Sequence, residues 1–338
     1  MKHLLLLLFI SSIATFAQTP DHEGSYVHWM TLKEAMEKQK VAPKPMIIDF
    51  YTDWCGWCKH MMKTTYANQE LAKYIDMYFY PVKFNAEGKD TVDFLGQRYA
   101  PTSSAPRTSH PLALKLLNNN MMYPSTLFLN GYDSTKKEFK VNMVASGYLD
   151  QQKIEPILVF VLENAGKNCT YEDFKVQFNK TFYDSTNTKK EEVKWTPLST
   201  ALSGSTKKKT FIEISAPWCT SCKVMKSSFT DSLIAKYVSE KFNIVEFDPE
   251  ISDTIEYKGQ KFFNPHSPQM PFHQLALYLG RNSISFPALI VLDENSDVID
   301  VIPSYISPSF LKDISRYYGD DIYKTKSWAV YMQLKGPN

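Results

Sequence analysis

The chain is written twice. Trp54-Cys55-Gly56-Trp57-Cys58-Lys59 recurs as Trp218-Cys219-Thr220-Ser221-Cys222-Lys223, 164 residues later. Val27-His28-Trp29 with Leu32 and Ala35 recurs as Val193-Lys194-Trp195 with Leu198 and Ala201, at offset 166. His110-Pro111-Leu112-Ala113-Leu114 returns as His273-Gln274-Leu275-Ala276-Leu277, and Pro124 as Pro287, both at offset 163. Near the ends, Tyr171-x-x-Phe174 matches Trp328-x-x-Tyr331 at offset 157. A register that drifts by only a few residues along the whole unit means tandem duplication with small loop insertions. The 338 residues therefore encode one domain type two times, matching the length expectation of about two domains.

The remaining composition excludes several classes. Hydrophobic residues are 43% and charged residues 22%, with only 12 Gly, which rules out a collagen-like, fibrous or wholly disordered chain. The formal net charge of +2 creates no strong field, so nucleic acid and acidic membrane surfaces are not expected partners. Met1 to Ala17 has a basic Lys2, an apolar Leu4 to Ile10 and a small-x-small Thr15-Phe16-Ala17, the pattern of a cleaved signal peptide. That run is too short to span the ~30 Å hydrocarbon core of a bilayer. The expected location is periplasmic or secreted. Five cysteines are too few for a disulfide scaffold; two Cys-x-x-Cys pairs plus Cys169 carry the information.

Each copy has a readable order. Pro45 to Tyr51 is a short apolar run read as a buried strand, followed by Cys-x-x-Cys and one helix from Lys59 to Tyr74. A strand at Tyr78 to Phe84, a polar loop at Ala100 to Ser109 and a helix from Pro111 to Leu117 come next. Pro124 to Leu129 is a strand turning at Asn130-Gly131 into a partner at Lys140 to Ala145, and a helix from Asp150 to Asn164 closes the unit. The second copy repeats this with Thr210 to Ser215, a helix from Val224 to Lys241, then Ile244 to Phe247, Leu275 to Leu279, Pro287 to Leu292, Val298 to Ile302 and Ser309 to Tyr318. The expectation is an α/β protein of two tandem domains, each a mixed sheet flanked by helices. Its divisions are residues 1–17 as leader, 25–165 and 193–338 as domains, and 166–192 as tail and linker.

Strand, Trp-Cys-x-x-Cys-Lys, helix, strand, helix, then a lone Pro opening a strand resembles thioredoxin, and does so twice. The chain is similar to secreted bacterial thioredoxin-like proteins and to the soluble thioredoxin-like end of thiol:disulfide interchange proteins, over most of 25–165 and 190–335. The resemblance implies a buried proton-transfer acid six positions before the first Cys, which is Asp49 here and Glu213 in the second copy. It implies a Lys beside that acid on the neighbouring strand, met by Lys83, whereas the second copy has Glu246. It implies a cis-Pro against the disulfide at Pro124 and Pro287, preceded by Tyr123 and Phe286, where such residues help to hold an extended substrate. Trp54 and Trp218 flank the same surface. From first Cys to Pro is 69 and 68 residues, and the length added relative to compact members falls in Ala86 to Ser109 and Pro249 to Pro271.

This arrangement suits thiol–disulfide exchange. The attacking species is a thiolate, and a free Cys with pKa near ~8.5 needs help at neutral pH. A helix N-terminus offers unsatisfied N–H groups and partial positive charge. Cys55 and Cys219 are expected at such junctions as exposed nucleophiles, with Cys58 and Cys222 one turn later to resolve the mixed disulfide. Desolvation should raise the pKa of Asp49, moderated by Lys83, so that it can take the proton of Cys58. Glu213 is expected to face Glu246 without a lysine, so the two sites should differ in redox or pH behaviour. No organic cofactor and no metal are implied; the disulfides are the redox centres. Partners would be thiols and disulfides of exported proteins, with reductant supplied by a membrane electron-transfer protein. Competing readings are a disulfide isomerase or oxidase, two structural disulfides in a redox-silent binding module, or copper handling through Cys58, His60, Met61, Met62, Met121 and Met122. His110 and His273 are expected to pack or cap at helix starts, Trp29 and Trp195 to be core, Cys169 to be a bystander or an intermolecular link, and Lys207 to Lys209 to form a solvated turn.

Overall fold

A computed structural model of the chain describes residues 21, 23–184, 193–203 and 206–336, without side-chain placement at 142 and 233. The expected leader at 1–17 lies outside the described residues, as does the end of the expected linker. In the first copy, Thr31 caps α1 (Leu32–Val41) through a reciprocal bond pair with Glu34. Then follow β1 (Met46–Tyr51), α2 (Gly56–Lys63), α3 (Gln69–Tyr78) and β2 (Tyr80–Asn85). A small hairpin of β3 (Val92–Phe94) and β4 (Gln97–Tyr99) precedes α4 (Pro111–Leu116), β5 (Ser125–Asp133) and β6 (Glu138–Ser146). The sheet order is β2-β1-β5-β6. β1 runs parallel to β2 and antiparallel to β5, which pairs antiparallel with β6. Because β1 lies between two strands with helices over it, Met46, Ile47, Ile48, Asp49 and Phe50 are all buried. That explains its unbroken apolar run around a single acid.

The second packed unit contains α5 (Gln151–Leu162), a 3₁₀ turn at Ala165–Lys167, α6 (Tyr171–Phe182), α7 (Leu198–Leu202) and β7 (Lys209–Ile214). It continues with α8 (Thr220–Ser228), α9 (Ser232–Lys241), β8 (Phe242–Phe247), and the small pair β9 (Ile255–Tyr257) and β10 (Gln260–Phe262). It ends with α10 (Gln274–Leu279), β11 (Ala288–Leu292), β12 (Val298–Pro303), α11 (Pro308–Gly319), a 3₁₀ turn at Ile322–Lys324 and α12 (Trp328–Lys335). Its sheet order β8-β7-β11-β12 and strand directions repeat those of the first copy.

Several expectations shift. Each long helix after Cys-x-x-Cys is two helices: Asn68 accepts the Leu71 N–H and starts α3, and the second break falls at Phe229–Asp231. The hairpin turn lies beyond Asn130-Gly131, where Asp133 accepts from the N–H groups of Thr135 and Lys136. The chain packs as two units that part between Asp150 and Gln151. The segments 151–165 and 166–192, read as the close of the first domain and a linker, thus contribute α5 and α6 to the second unit. The reason is apolar: Val159, Phe174 and Phe178 join Phe211, Val224, Met225 and Tyr305 in its core. Lys209 is no solvated turn residue either; it is buried in β7 and bridges Glu294 at 2.7 Å and Asp321 at 2.9 Å. Trp29 and Trp195 are half-buried, against Tyr66 and Phe229. Among the described residues no helix is long and apolar enough to cross a membrane.

The two histidines cap. His110 Nδ1 accepts the Leu112 N–H at 3.1 Å and its Nε2 meets the Asp90 carbonyl at 3.0 Å. His273 repeats this with Leu275 at 3.1 Å and Asp253 at 2.9 Å. Each ring therefore ties the loop inserted before it to the start of α4 or α10, and burial lowers both pKa values. His110→Ala and His273→Ala should each destabilise their own unit by roughly 1–2 kcal/mol, read by denaturant unfolding of each variant against the parent chain.

Candidate active site

Each Cys-x-x-Cys begins where a central strand turns into a helix. Cys55 is the N-cap of α2, and its Sγ accepts the Cys58 N–H at 3.0 Å; Cys219 caps α8 and accepts from Cys222 at 3.1 Å. The short Thr52–Tyr51 exit from β1 is held by the Cys55 N–H on the Thr52 carbonyl at 3.0 Å, as Cys219 is on Ala216 at 3.0 Å. Both pairs are disulfides with Cα separations of 5.3 Å, the distance a bridge across one helical turn requires. The expected exposure of the nucleophiles is corrected: Cys55 is 5% exposed and Cys219 0%. Cys219 packs with Ala216 and Phe286.

The strand that leads into each pair carries one buried acid, Asp49 on β1 and Glu213 on β7. Strand register sets Asp49 beside Lys83, and Glu213 beside Glu246. Burial raises the Asp49 pKa to about 7, against the opposing pull of Lys83 and of a long 3.5 Å hydrogen bond donated by Thr126. Glu213 is pushed well above the usual carboxylate range, first by burial and then by Glu246. Neither of its oxygens has a hydrogen-bond partner. Leu289 stands where Thr126 stands in the first copy, so Glu213 receives no such hydroxyl.

The lysine arrangement departs from expectation. Lys83 pairs with Glu23 and lies 4.7 Å over the Tyr51 ring. The second site does have a lysine, contrary to its sequence reading: Lys226 on α8 pairs with Glu246 and lies 4.9 Å over Trp195, and its charge lowers the Glu213 pKa. The cation thus comes from the strand in one copy and from the helix in the other. A cavity of about 190 Å³ bordered by Cys58, Lys59, Lys83, Glu23 and Asp53 opens beside the first resolving cysteine.

The peptide bonds Tyr123–Pro124 and Phe286–Pro287 are cis. Trp54 and Trp218 stand 55% and 56% exposed, each edge-on or tilted against the aromatic before its proline, at 6.1 Å for Tyr123 and 4.8 Å for Phe286. Each indole N–H is donated to a glutamate, Glu87 at 3.1 Å and Glu250 at 3.0 Å. Arg107 lies 5.6 Å over Trp54. Sequence reasoning missed Glu23, Glu87, Glu250 and Lys226, although Glu87 and Glu250 share the repeat offset of 163 and could have been found there. It also missed Glu163, whose Oε2 lies 3.7 Å from Cys219 Sγ.

The remaining candidates are placed elsewhere. His60 packs edge-on to Trp57 and tilted against Tyr148, while Met61 and Met62 are buried core. Among the described residues no cluster of three or more His, Cys, Asp or Glu side chains could hold a metal ion. Cys169 is a free thiol donated to the Ala165 carbonyl at 3.3 Å, and burial raises its pKa to about 12, far from a reactive thiolate.

The Asp49 carboxyl makes a checkable stability statement. Its pKa is about 7 when folded and 3.8 ordinarily, so the folded state binds more protons between those values. Folding is then favoured at low pH and loses stability as pH rises from about 4 through about 7. Asp49→Asn should flatten this dependence and be more stable than the parent by roughly 2–4 kcal/mol at pH 9. Urea unfolding at pH 5 and pH 9 reads it; equal losses in both proteins would overturn the assignment.

Residues 15–157 match the family model Thioredox_DsbH, described as a protein of unknown function, DUF255. Over 60 residues the chain is 45% identical to a chloroplastic F-type thioredoxin of Mesembryanthemum crystallinum, covering 18% of this chain and 30% of that protein. The chain thus spans under a third of the length of the curated relatives it matches. Similar solved structures include a thioredoxin from Thermus thermophilus, at 13% identity, with 41% of this chain and 90% of that one covered and a TM-score of 0.30. ERdj5 in its form I is 12% identical over 89% of this chain and 30% of that one, with a TM-score of 0.27. The same sheet order, the same disulfide-capped helix and the same cis-proline recur in both units, so the chain carries the thioredoxin-like fold twice in tandem.

Proposed function

We propose that the chain is a thiol:disulfide oxidoreductase with two Cys-x-x-Cys sites that reduces disulfides of exported proteins. The observation that carries this reading is the first site: a disulfide-bonded cysteine capping its helix, reached from a strand whose buried carboxyl has a pKa of about 7. In the reduced protein, the Cys55 thiolate attacks one sulfur of a client disulfide and forms a mixed disulfide. The client's other sulfur leaves as a thiolate and takes up a proton. Asp49 receives the proton of Cys58, whose thiolate attacks Cys55 Sγ. The Cys55–Cys58 bond forms, the second client sulfur leaves, and the client has gained two electrons. Cys219 and Cys222 follow the same sequence, with Glu213 in the place of Asp49. Lys83 holds the Asp49 pKa from rising further.

Tyr123, Pro124 and Trp54, and Phe286, Pro287 and Trp218, form the contact surface for an extended client segment. The small net charge suits varied clients met through such contacts. The leader-like Met1 to Ala17 supports action in the periplasm or outside the cell. There, electrons must be returned to each disulfide by a partner, for which a membrane electron-transfer protein is the natural class. Dithiothreitol-driven reduction of insulin tests the reading. Cys55→Ser/Cys219→Ser should fall to the uncatalysed rate, and undiminished turnover in that variant would refute it.

A further inference from the structure

The second site carries a group that has no counterpart at the first among the described residues. Glu163 follows α5 and reaches the start of α8. Its carboxylate takes the Ser221 N–H at 2.8 Å, the Thr220 N–H at 3.3 Å and the Ser221 hydroxyl, and lies 3.7 Å from Cys219 Sγ. Those two N–H groups are part of the positive end of α8 that would otherwise favour a Cys219 thiolate. Among the described residues, the corresponding groups of Gly56 and Trp57 hold no carboxylate, and Trp57 is exposed.

Glu163 is placed by a fastened loop. Asn164 takes a left-handed backbone conformation, φ 52°. Its carbonyl accepts the Ser304 hydroxyl at 2.9 Å, while the Asn168 amide donates to the Pro303 carbonyl at 2.7 Å and to that of Tyr305 at 3.2 Å. The loop is thereby tied to the segment that leaves β12. Ser304 in turn donates its N–H to the carbonyl of Pro287 at 2.9 Å, so the segment that anchors the Glu163 loop is also bonded to the cis-proline.

We propose that Glu163 governs the second pair: it occupies the anion-binding start of α8 and covers Cys219, holding that cysteine as a shielded neutral thiol. Two negative charges so close are disfavoured, so the first proton lost by the pair belongs to Glu163 and the Cys219 thiol titrates higher. Burial raises the Glu163 pKa; the Ser221 and Thr220 donors and the charge of Lys223 on α8 oppose this. The second site is then slower to attack than its helix position alone would make it. This rests on the oxidoreductase reading and extends it, because it assigns the two sites unequal thiol chemistry from a residue outside both motifs.

The test uses the full chain with Cys55→Ser, Cys58→Ser and Cys169→Ser, with and without Glu163→Gln. After reduction with dithiothreitol, iodoacetamide labelling of Cys219 is followed across pH by peptide mass spectrometry. Glu163→Gln keeps the shape and removes the charge. The labelling midpoint should fall by about one pH unit, with ~10-fold faster labelling at pH 7. Glu163→Ala serves as a second variant. It should show the same lower midpoint and also a higher limiting rate at alkaline pH, since it removes the cover as well. A merely structural role would not move the midpoint. A midpoint that stays or rises in both variants overturns this inference alone. A Cys219–Cys222 bond that dithiothreitol cannot open in any of these proteins overturns the oxidoreductase reading of this site, and the inference with it.

Discussion

A cysteine that caps its own helix is the constraint on which the rest of each unit depends. The Sγ atoms of Cys55 and Cys219 occupy the position of an N-cap oxygen and accept the N–H three residues on. To deliver a side chain there, the chain must leave a buried central strand and enter a helix within a few residues. That demands β1 and β7 in mid-sheet with parallel neighbours β2 and β8 reached through two helices each. The acid on that strand is then inevitably desolvated, because its strand is covered on both faces. The chemistry of the site and the architecture of the sheet are one requirement seen at two scales.

Duplication has preserved the frame and altered its electrostatics. Both copies keep the Trp, the glutamate that receives its N–H, the cis-proline and the capping histidine. They differ at the buried acid. Asp49 has a strand lysine and a threonine hydroxyl nearby; Glu213 has a strand glutamate, a leucine, and a lysine arriving from the helix. Each copy thus keeps one cation and one extra anion near its acid while exchanging which element supplies them. With the charges so placed, burial still dominates in both copies, raising Asp49 to about 7 and Glu213 well above the usual carboxylate range.

Much of this was legible because it is local or repeated. The strand before each pair, the cysteine spacing and the proline could be read from motif and offset, and Asp49 and Lys83 were paired by resemblance before the register set them side by side. What stayed hidden depended on distance along the chain. Lys226 looks like any solvated helix lysine until β8 is known to pass beneath it. Glu163 precedes Cys219 by 56 residues, in a stretch the repeat assigns to the first copy. The break between α2 and α3 escaped because apolar residues keep helical spacing across it, from Met61 to Ala72 and Ile75, while the Asn68 cap is one polar residue among several. The strands of the inserted hairpins are three residues each, too short for alternation to register.

The tethered tryptophans have a consequence for molecular recognition. Trp54 and Trp218 are large apolar side chains that stay more than half exposed, yet each is fixed by a carboxylate at its N–H and by an aromatic at its ring. Ordering a loose side chain on contact costs roughly 0.5–1.5 kcal/mol of binding free energy. Here that ordering is done before anything arrives. Under the proposed function, such a flat, rigid plate suits varied polypeptides, since it gains contact area without demanding a matching pocket.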